Sequence, residues 1–459
     1  MSRFGSLTDP PATLVVTDVR IVDPGSGTDS VGDLAIRDGL FVEPGSISAD
    51  AERIDGSGLV AAPGLCDLHA HLREPGLERA ETIQSGARAA ARGGYTTICA
   101  MPNTEPPLDD ATTVSWATHR AQTAAARVRV VAAATRGRSG AKASDLVALA
   151  AVGVVGVSDD GATVASVEVA RALLERLAPL GLPLIEHAED PGLSAGSVMR
   201  AGATATRLGL AGWPSSAEVS IVERDIALAE ETGGWVHFTH ISTAAALDAI
   251  QRAKAGGIRV TCDVTPHHFA LTDEWVAGDR HFSWADPERD PFSAPLDAAN
   301  AYDAASRVNP PLASRADALA LLAGLADGSI DAIATDHAPH PPERKAVEFG
   351  NAAPGMIGLE TALSLGLAAV EAGCLDLSGL LAALATRPAA LIGEPRSLGI
   401  GATADLVIFD PAARRRVEAA DLASASSNTP LLGMELPGVV RLTVANGRIT
   451  YRDGLGVIG

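Results

Sequence analysis

The 459-residue sequence is poor in aromatics (3%), in cysteine (four) and in basic charge, its formal net charge being −20. Scarce aromatics leave the core to Ala, Val, Leu and Ile. At 47% hydrophobic residues this suits helices packed on buried strands. Cys66, Cys99, Cys262 and Cys374 are scattered without C-x-x-C spacing. That argues against a disulfide framework and reads as small buried hydrophobes in a reducing compartment. The acidic balance provides no surplus cations to neutralise phosphates, so neither nucleic acid nor an anionic membrane is an expected partner. No apolar run reaches the roughly 18 residues of a membrane span. The stretch Met1 to Pro11 has no apolar signal core, and the expected compartment is the cytoplasm. Lysine is also rare: Lys142, Lys254 and Lys345 are the only three, none of them in a strand-like run.

What is present is alternation. Short β runs at Leu59-Leu65, Tyr95-Met101, Val128-Ala134, Val152-Ser158, Pro183-His187, Trp235-His240, Ile258-Asp263 and Ile330-Thr335 are separated by Ala- and Leu-rich helical patterns such as Val164-Leu180, Ala217-Thr232 and Ala244-Ala255. Strands alternating with helices imply a parallel sheet, and eight such units predict an α/β chain folded as a (β/α)8 barrel. From Leu14 to Leu59, and again from Ile400, the texture changes to short strands and turns, including Asp38-Gly39 and the hairpin signal Asn446-Gly447. Neither end is long enough for a good core alone. The two are expected to meet as one small β-sandwich, giving residues 1–62 and 399–459 to that domain and 63–398 to a catalytic barrel. Between Thr272 and Val308 the sequence is irregular and rich in Asp, Pro and aromatics. A connection that long, after the seventh strand, reads as a functional or disordered loop, either a mobile flap or a contact surface for another subunit.

In a barrel, residues just past the strand ends converge on one site. Those positions hold His69, His71 and Arg73 after the first strand, Asn103 after the second, Asp159-Asp160 after the fourth, His187 after the fifth, His240 after the sixth and Asp336 with His340 after the eighth. In Asp67-Leu68-His69-Ala70-His71-Leu72-Arg73 alternate side chains share a strand face, so two imidazoles can meet one cation with a guanidinium next on that side. Four His and two Asp can hold two divalent ions about 3.5 to 4 Å apart if one carboxylate bridges them. Spacing leaves both Asp159 and Asp160 open for the bridge. His237, three residues before His240, points to the opposite face of a regular strand. His337 likewise points elsewhere, His119 and His281 read as exposed, and the adjacent His267 and His268 cannot both face the site.

These segments, with Gly93-Gly94-Tyr95-Thr96-Thr97, Met101-Pro102-Asn103-Thr104, Ser158-Asp159-Asp160-Gly161, His187-Ala188-Glu189-Asp190, His240-Ile241-Ser242-Thr243, Asn309-Pro310-Pro311-Leu312 and Ala334-Thr335-Asp336-His337-Ala338-Pro339-His340, resemble the dihydroorotases of the amidohydrolase superfamily. The likeness is to the bacterial type, which has an aspartate where relatives carry a carboxylated lysine. The resemblance implies two zinc ions bridged by Asp160 and a hydroxide, with His69, His71 and Asp336 at one and His187 and His240 at the other. It implies Asp336 as the catalytic acid–base, and a substrate site of His71, Arg73, Asn103, Asn309, His340, Pro354 and Gly355. Three features depart from the family pattern: Ala313-Ser314 stands where Arg is common, Pro354-Gly355 replaces an aromatic-Gly pair, and segment 273–308 is longer.

The implied reaction is reversible cyclisation of N-carbamoyl-L-aspartate to L-dihydroorotate in pyrimidine synthesis. A homo-oligomer and a complex with aspartate transcarbamoylase are further partners that the resemblance brings with it. Two rivals stand beside this reading: another cyclic amidohydrolase (hydantoinase, dihydropyrimidinase or allantoinase), and a catalytically silent barrel serving a transcarbamoylase. The first places a carboxylated lysine on strand four, where this chain has none; the second loses ligands, and here every ligand position is filled.

Overall fold

A computed structural model describes residues 3–285, 300–455 and 457–458. Eight parallel strands follow one another in chain order around the barrel: β1 (Leu65–Ala70), β2 (Tyr95–Ala100), β3 (Arg127–Ala133), β4 (Gly156–Ser158), β5 (Leu184–Glu186), β6 (Val236–Phe238), β7 (Val260–Val264) and β8 (Ala332–Ile333). The seam between β8 and β1 is closed just beyond the strands. Ala70 and His337 form a parallel bridge, His71 N donates to His337 O at 2.8 Å, and the buried Asp67 carboxylate accepts Thr335 N at 2.8 Å and Thr335 Oγ1 at 2.5 Å. The expected (β/α)8 barrel is therefore the observed one.

The crossover helices begin where the sequence supplies caps. Thr82, Ser166, Thr243 and Ser314 each accept a backbone N–H of the first turn of helices Ile83–Arg92, Val167–Leu177, Ala244–Ala255 and Arg315–Ala326. Each such cap stabilises its helix by about 1 kcal/mol. Their apolar faces (Leu173, Leu174 and Leu177; Leu247 and Ile250; Leu321, Leu322 and Leu325) join one continuous core around the strands.

The ends of the chain meet as expected. Strands Leu14–Asp23, Thr28–Arg37, Leu40–Val42, Glu52–Asp55 and Val60–Pro63 share a sheet with Leu406–Arg416, Glu435–Ala445, Arg448–Arg452 and Val457–Ile458. The seam between the halves is antiparallel, Leu406 opposite Pro63 and Phe409 opposite Val60. A separate apolar cluster of Leu14, Val16, Ile36, Phe41, Ile54, Leu406, Ile408 and Leu442 fills the fold of this sheet.

One strand assignment is corrected. The run Leu59-Leu65 was expected as the first barrel strand, but Val60–Pro63 belongs to the small sheet and the barrel strand is Leu65–Ala70. The run is apolar on both sides of its Pro63-Gly64 break, which conceals that the change of sheet occurs there, at Gly64. A Cβ there would lie 2.3 Å from Thr96 Cγ2, so only glycine permits so close a passage. Within the irregular segment, Trp275 is fully buried and stacks near Phe282, which contacts Trp284. Residues 286–299, the middle of the expected flap, lie outside the described residues. Among the described residues, no helix is long and apolar enough to cross a membrane.

Candidate metal centre

His69, His71 and Asp160 bring three ligand atoms within 4.8 Å of one another, and Asp160, His187 and His240 do the same. All five are buried. Asp160 stands between the two groups with one oxygen turned to each. Its Oδ2 lies 3.3 Å from His69 Nε2 and 3.5 Å from His71 Nε2. Its Oδ1 lies 3.3 Å from His240 Nε2 and 3.5 Å from His187 Nδ1. Asp336 Oδ1 approaches His71 Nε2 at 3.0 Å and His69 Nε2 at 3.6 Å. The neighbouring Asp159 turns away and accepts Thr135 N at 2.9 Å. Of the two aspartates that spacing left open, it is Asp160, the one the resemblance implies, that meets the imidazoles.

The outer nitrogens of three imidazoles fix their tautomers. His71 Nδ1 donates to Asn103 Oδ1 at 2.8 Å, and His187 Nε2 donates to Glu189 Oε2 at 3.0 Å. Thr239 donates its hydroxyl proton to Asp263, 3.1 Å away, and so accepts His69 Nδ1–H at 2.8 Å. In its neutral form, the one that can ligate a cation, each therefore turns a lone pair inward. The inward nitrogens are close, 3.3 Å between His69 and His71 and 3.1 Å between His187 and His240. Lone pairs so near to one another and to carboxylate oxygens repel unless positive charge lies between them, so this donor set fits two divalent cations.

The field of the site is strongly negative. Burial disfavours imidazolium at His69, yet Asp160 and Asp336 outweigh it and push its pKa up to about 9; at His187, Asp160 and Glu189 push it up to about 10. Burial likewise opposes charge on Asp160 and Asp336, but the surrounding imidazoles hold both carboxyls below the usual carboxylate range. Arg73 balances them from one side. Its Nε donates to Pro339 O at 3.2 Å, and burial lowers its pKa only to about 10, so it stays charged.

Strand alternation predicts Arg73 as the next residue on a regular strand face. The strand in fact ends at Ala70, and Arg73 turns inward through a left-handed residue with φ 61°. His240 (φ 40°) and Asp336 (φ 45°) share that conformation, a concentration of backbone strain at the site. His340 is driven down to about 3 by burial and by Arg73, and its Nε2 donates to Pro354 O at 2.8 Å. Gly355, at φ 130°, could not carry a side chain, because a Cβ would sit 2.6 Å from the Ala338 methyl and 3.0 Å from His340 Nε2. A cavity of about 650 Å³ lies beside His340, also lined by Tyr302, Lys345 and Asn428. Asn309 reaches the opposite pair, its Nδ2 2.8 Å from Glu189 Oε2.

The discounted histidines supply no ligand atom to either group. His237 Nε2 bonds Asp263 at 2.9 Å and His337 Nε2 bonds Glu81 at 3.3 Å. His119 and His281 are exposed, while His267 and His268 are buried on the short helix Pro266–Ala270. Glu189, Thr239, Asp263 and Asn428 join the site without having stood out in the sequence. For Glu189 a signal existed, since it stands two residues beyond His187; the others act across folded distance.

In its fold, and in paired imidazoles about one carboxylate at the strand ends of a (β/α)8 barrel, the chain is similar to cyclic amidohydrolases. The fold is that of the L-hydantoinase (dihydropyrimidinase) from Arthrobacter aurescens, with a TM-score of 0.81 and 23% identity over 97% of each chain. It is also that of dihydropyrimidinase from Brevibacillus agri NCHU1002, with a TM-score of 0.78 and 21% identity over 96% of this chain and 95% of that one. Residues 58–246 match the family model described as dihydro-orotase-like. The dihydroorotase of Geobacter sp. (strain M21) is 42% identical over 446 residues, 96% of this chain and 100% of that one. That of Anaeromyxobacter sp. (strain K) is 44% identical over 446 residues, 96% and 98% of the two chains. The chain belongs to the dihydroorotase family.

Proposed function

We propose that this protein interconverts N-carbamoyl-L-aspartate and L-dihydroorotate at a dinuclear centre whose metal is zinc. The observation that carries this reading is the position of Asp160, one oxygen toward His69 and His71 and the other toward His187 and His240. His69, His71 and Asp336 would hold one ion and His187 and His240 the other, with Asp160 shared. Bound there, the ions supply Lewis acidity toward the scissile carbonyl and make water a strong nucleophile at neutral pH.

The chain's own groups do the rest. Asp336 is ionised and faces the His71 side of the centre, placed to take the proton of the attacking water and return it to the departing ring nitrogen. In cyclisation the same proton path runs backward. Arg73 stays charged and offers a planar fork to a substrate carboxylate. Asn103 already accepts from His71 through Oδ1, which leaves its Nδ2 to donate to that carboxylate. His340, Pro354 and Gly355 wall the same side, and Asn309 meets the ring.

The test is to assay the purified chain with carbamoyl aspartate and dihydroorotate, with hydantoin and dihydrouracil for comparison, before and after chelation and zinc return. Zinc-dependent turnover of the first pair in preference to the second supports the reading. Preference for hydantoin or dihydrouracil, or full activity after complete chelation, contradicts it.

A further inference from the structure

We infer that Glu189 is a positioning residue that couples His187 to Asn309, and thereby decides which face of Asn309 meets the substrate. This rests on the reading above and extends it to how the ring is recognised. One carboxylate oxygen, Glu189 Oε2, lies 3.0 Å from His187 Nε2 and 2.8 Å from Asn309 Nδ2. An ionised carboxylate accepts and never donates, so both neighbours must donate to it.

Two consequences follow from that single acceptor. Neutral His187, the form that ligates a cation, is held with its proton on Nε2 and its lone pair on Nδ1, the atom 3.5 Å from Asp160 Oδ1 and 3.1 Å from His240 Nε2. The Asn309 amide, whose two ends are otherwise interchangeable, is fixed with its NH₂ toward Glu189. Its carbonyl oxygen is then the atom presented to substrate, suited to the N–H of a ring amide and ill suited to a ring oxygen or an unprotonated ring nitrogen. Residues far apart in the chain, on the loops after β5 and β7, are thus set by one side chain belonging to neither the candidate ligands nor the carboxylate pocket.

The experiment compares Glu189→Gln, Asn309→Ala and the double variant, reading KM and kcat for dihydroorotate together with zinc retention against a competing chelator. A neutral amide oxygen is a weaker acceptor than a carboxylate for both donors, so it holds His187 and the Asn309 amide less firmly and no longer fixes which end of that amide faces the substrate. Glu189→Gln is therefore expected to raise KM about tenfold, and to weaken zinc retention by 10-fold or more, the usual cost of removing a carboxylate behind a ligand histidine. In the Asn309→Ala background the effect on KM disappears and the effect on zinc remains. Independent multiplication of the two KM effects, or zinc retention unchanged in Glu189→Gln, overturns the proposal. Should Glu189→Gln fail to fold, Glu189→Asp, which keeps the charge and shortens its reach, carries the same two expectations. An unmutated protein silent on dihydroorotate refutes the activity reading and with it the Asn309 half, while zinc competition still decides the His187 half.

Discussion

Replacing Asn428 separates the scaffold of the substrate loops from the chemistry. Asn428 comes from the C-terminal part of the chain, is 9% exposed, and reaches back over the mouth of the barrel. Its Nδ2 donates to Ala338 O at 3.0 Å and Gly355 O at 3.1 Å, and its Oδ1 accepts His340 N at 3.0 Å. Asn428→Ala strips partners from two carbonyls and one N–H in a buried place. At the low end of about 1 kcal/mol for each unsatisfied group, the loss is about 3 kcal/mol. Asn428→Asp keeps the acceptor for His340 N but sets a carboxylate oxygen against two carbonyl oxygens at hydrogen-bond distance. It should therefore be at least as damaging as the alanine variant, despite being the closer in shape. Because the freed backbone is that of His340 and Gly355, KM for dihydroorotate should rise in both while zinc content stays at the unmutated level. Urea midpoints, KM and metal analysis of the three proteins check this. An aspartate variant as stable as the unmutated protein, or loss of metal with unchanged KM, would refute the reasoning.

Three further outcomes are expected. Asp336→Asn should fold and retain most metal while turnover falls by about 10² to 10⁴, the range for losing a general acid–base; near-normal turnover in the folded variant removes the role. Burial pushes the thiols of Cys66 and Cys262 up to about 12 and that of Cys99 well above its ordinary value, so at pH 8 none forms appreciable thiolate. An aromatic disulfide reagent should find only the half-buried Cys374 in the native protein and all four thiols after unfolding; rapid reaction of a second native thiol would show that the barrel opens. Metal-stripped protein should regain activity with zinc alone in carbon-dioxide-depleted buffer, because the centre is built on Asp160 and needs no carboxylated amine. A bicarbonate requirement would sink that expectation.

Much of this site could be read from the sequence because a barrel brings strand ends together whatever lies between them. Knowing that His69, His187, His240 and Asp336 each follow a β run was enough to place them near one another. Spacing alone left Asp159 and Asp160 open, since both follow β4; the family resemblance pointed to Asp160, and the fold gives the physical reason, the Asp159 side chain being turned to Thr135. The first barrel strand was misplaced because an apolar run looks the same whether it serves one sheet or passes between two. Arg73 was assigned to the right site by the wrong route, through strand alternation where a left-handed residue does the turning. Asn428 was beyond sequence reasoning, because its partners lie 73 to 90 residues away and hydrogen bonding to backbone leaves no pattern in residue type.

The shared carboxylate is the centre of the account, and anomalous diffraction at the zinc absorption edge from crystals of the zinc-loaded protein tests it most directly. Two peaks about 3.5 to 4 Å apart are expected, one beside His69 and His71 and the other beside His187 and His240, with one oxygen of Asp160 on each. A single peak, or two ions with Asp160 touching neither or only one, would contradict it.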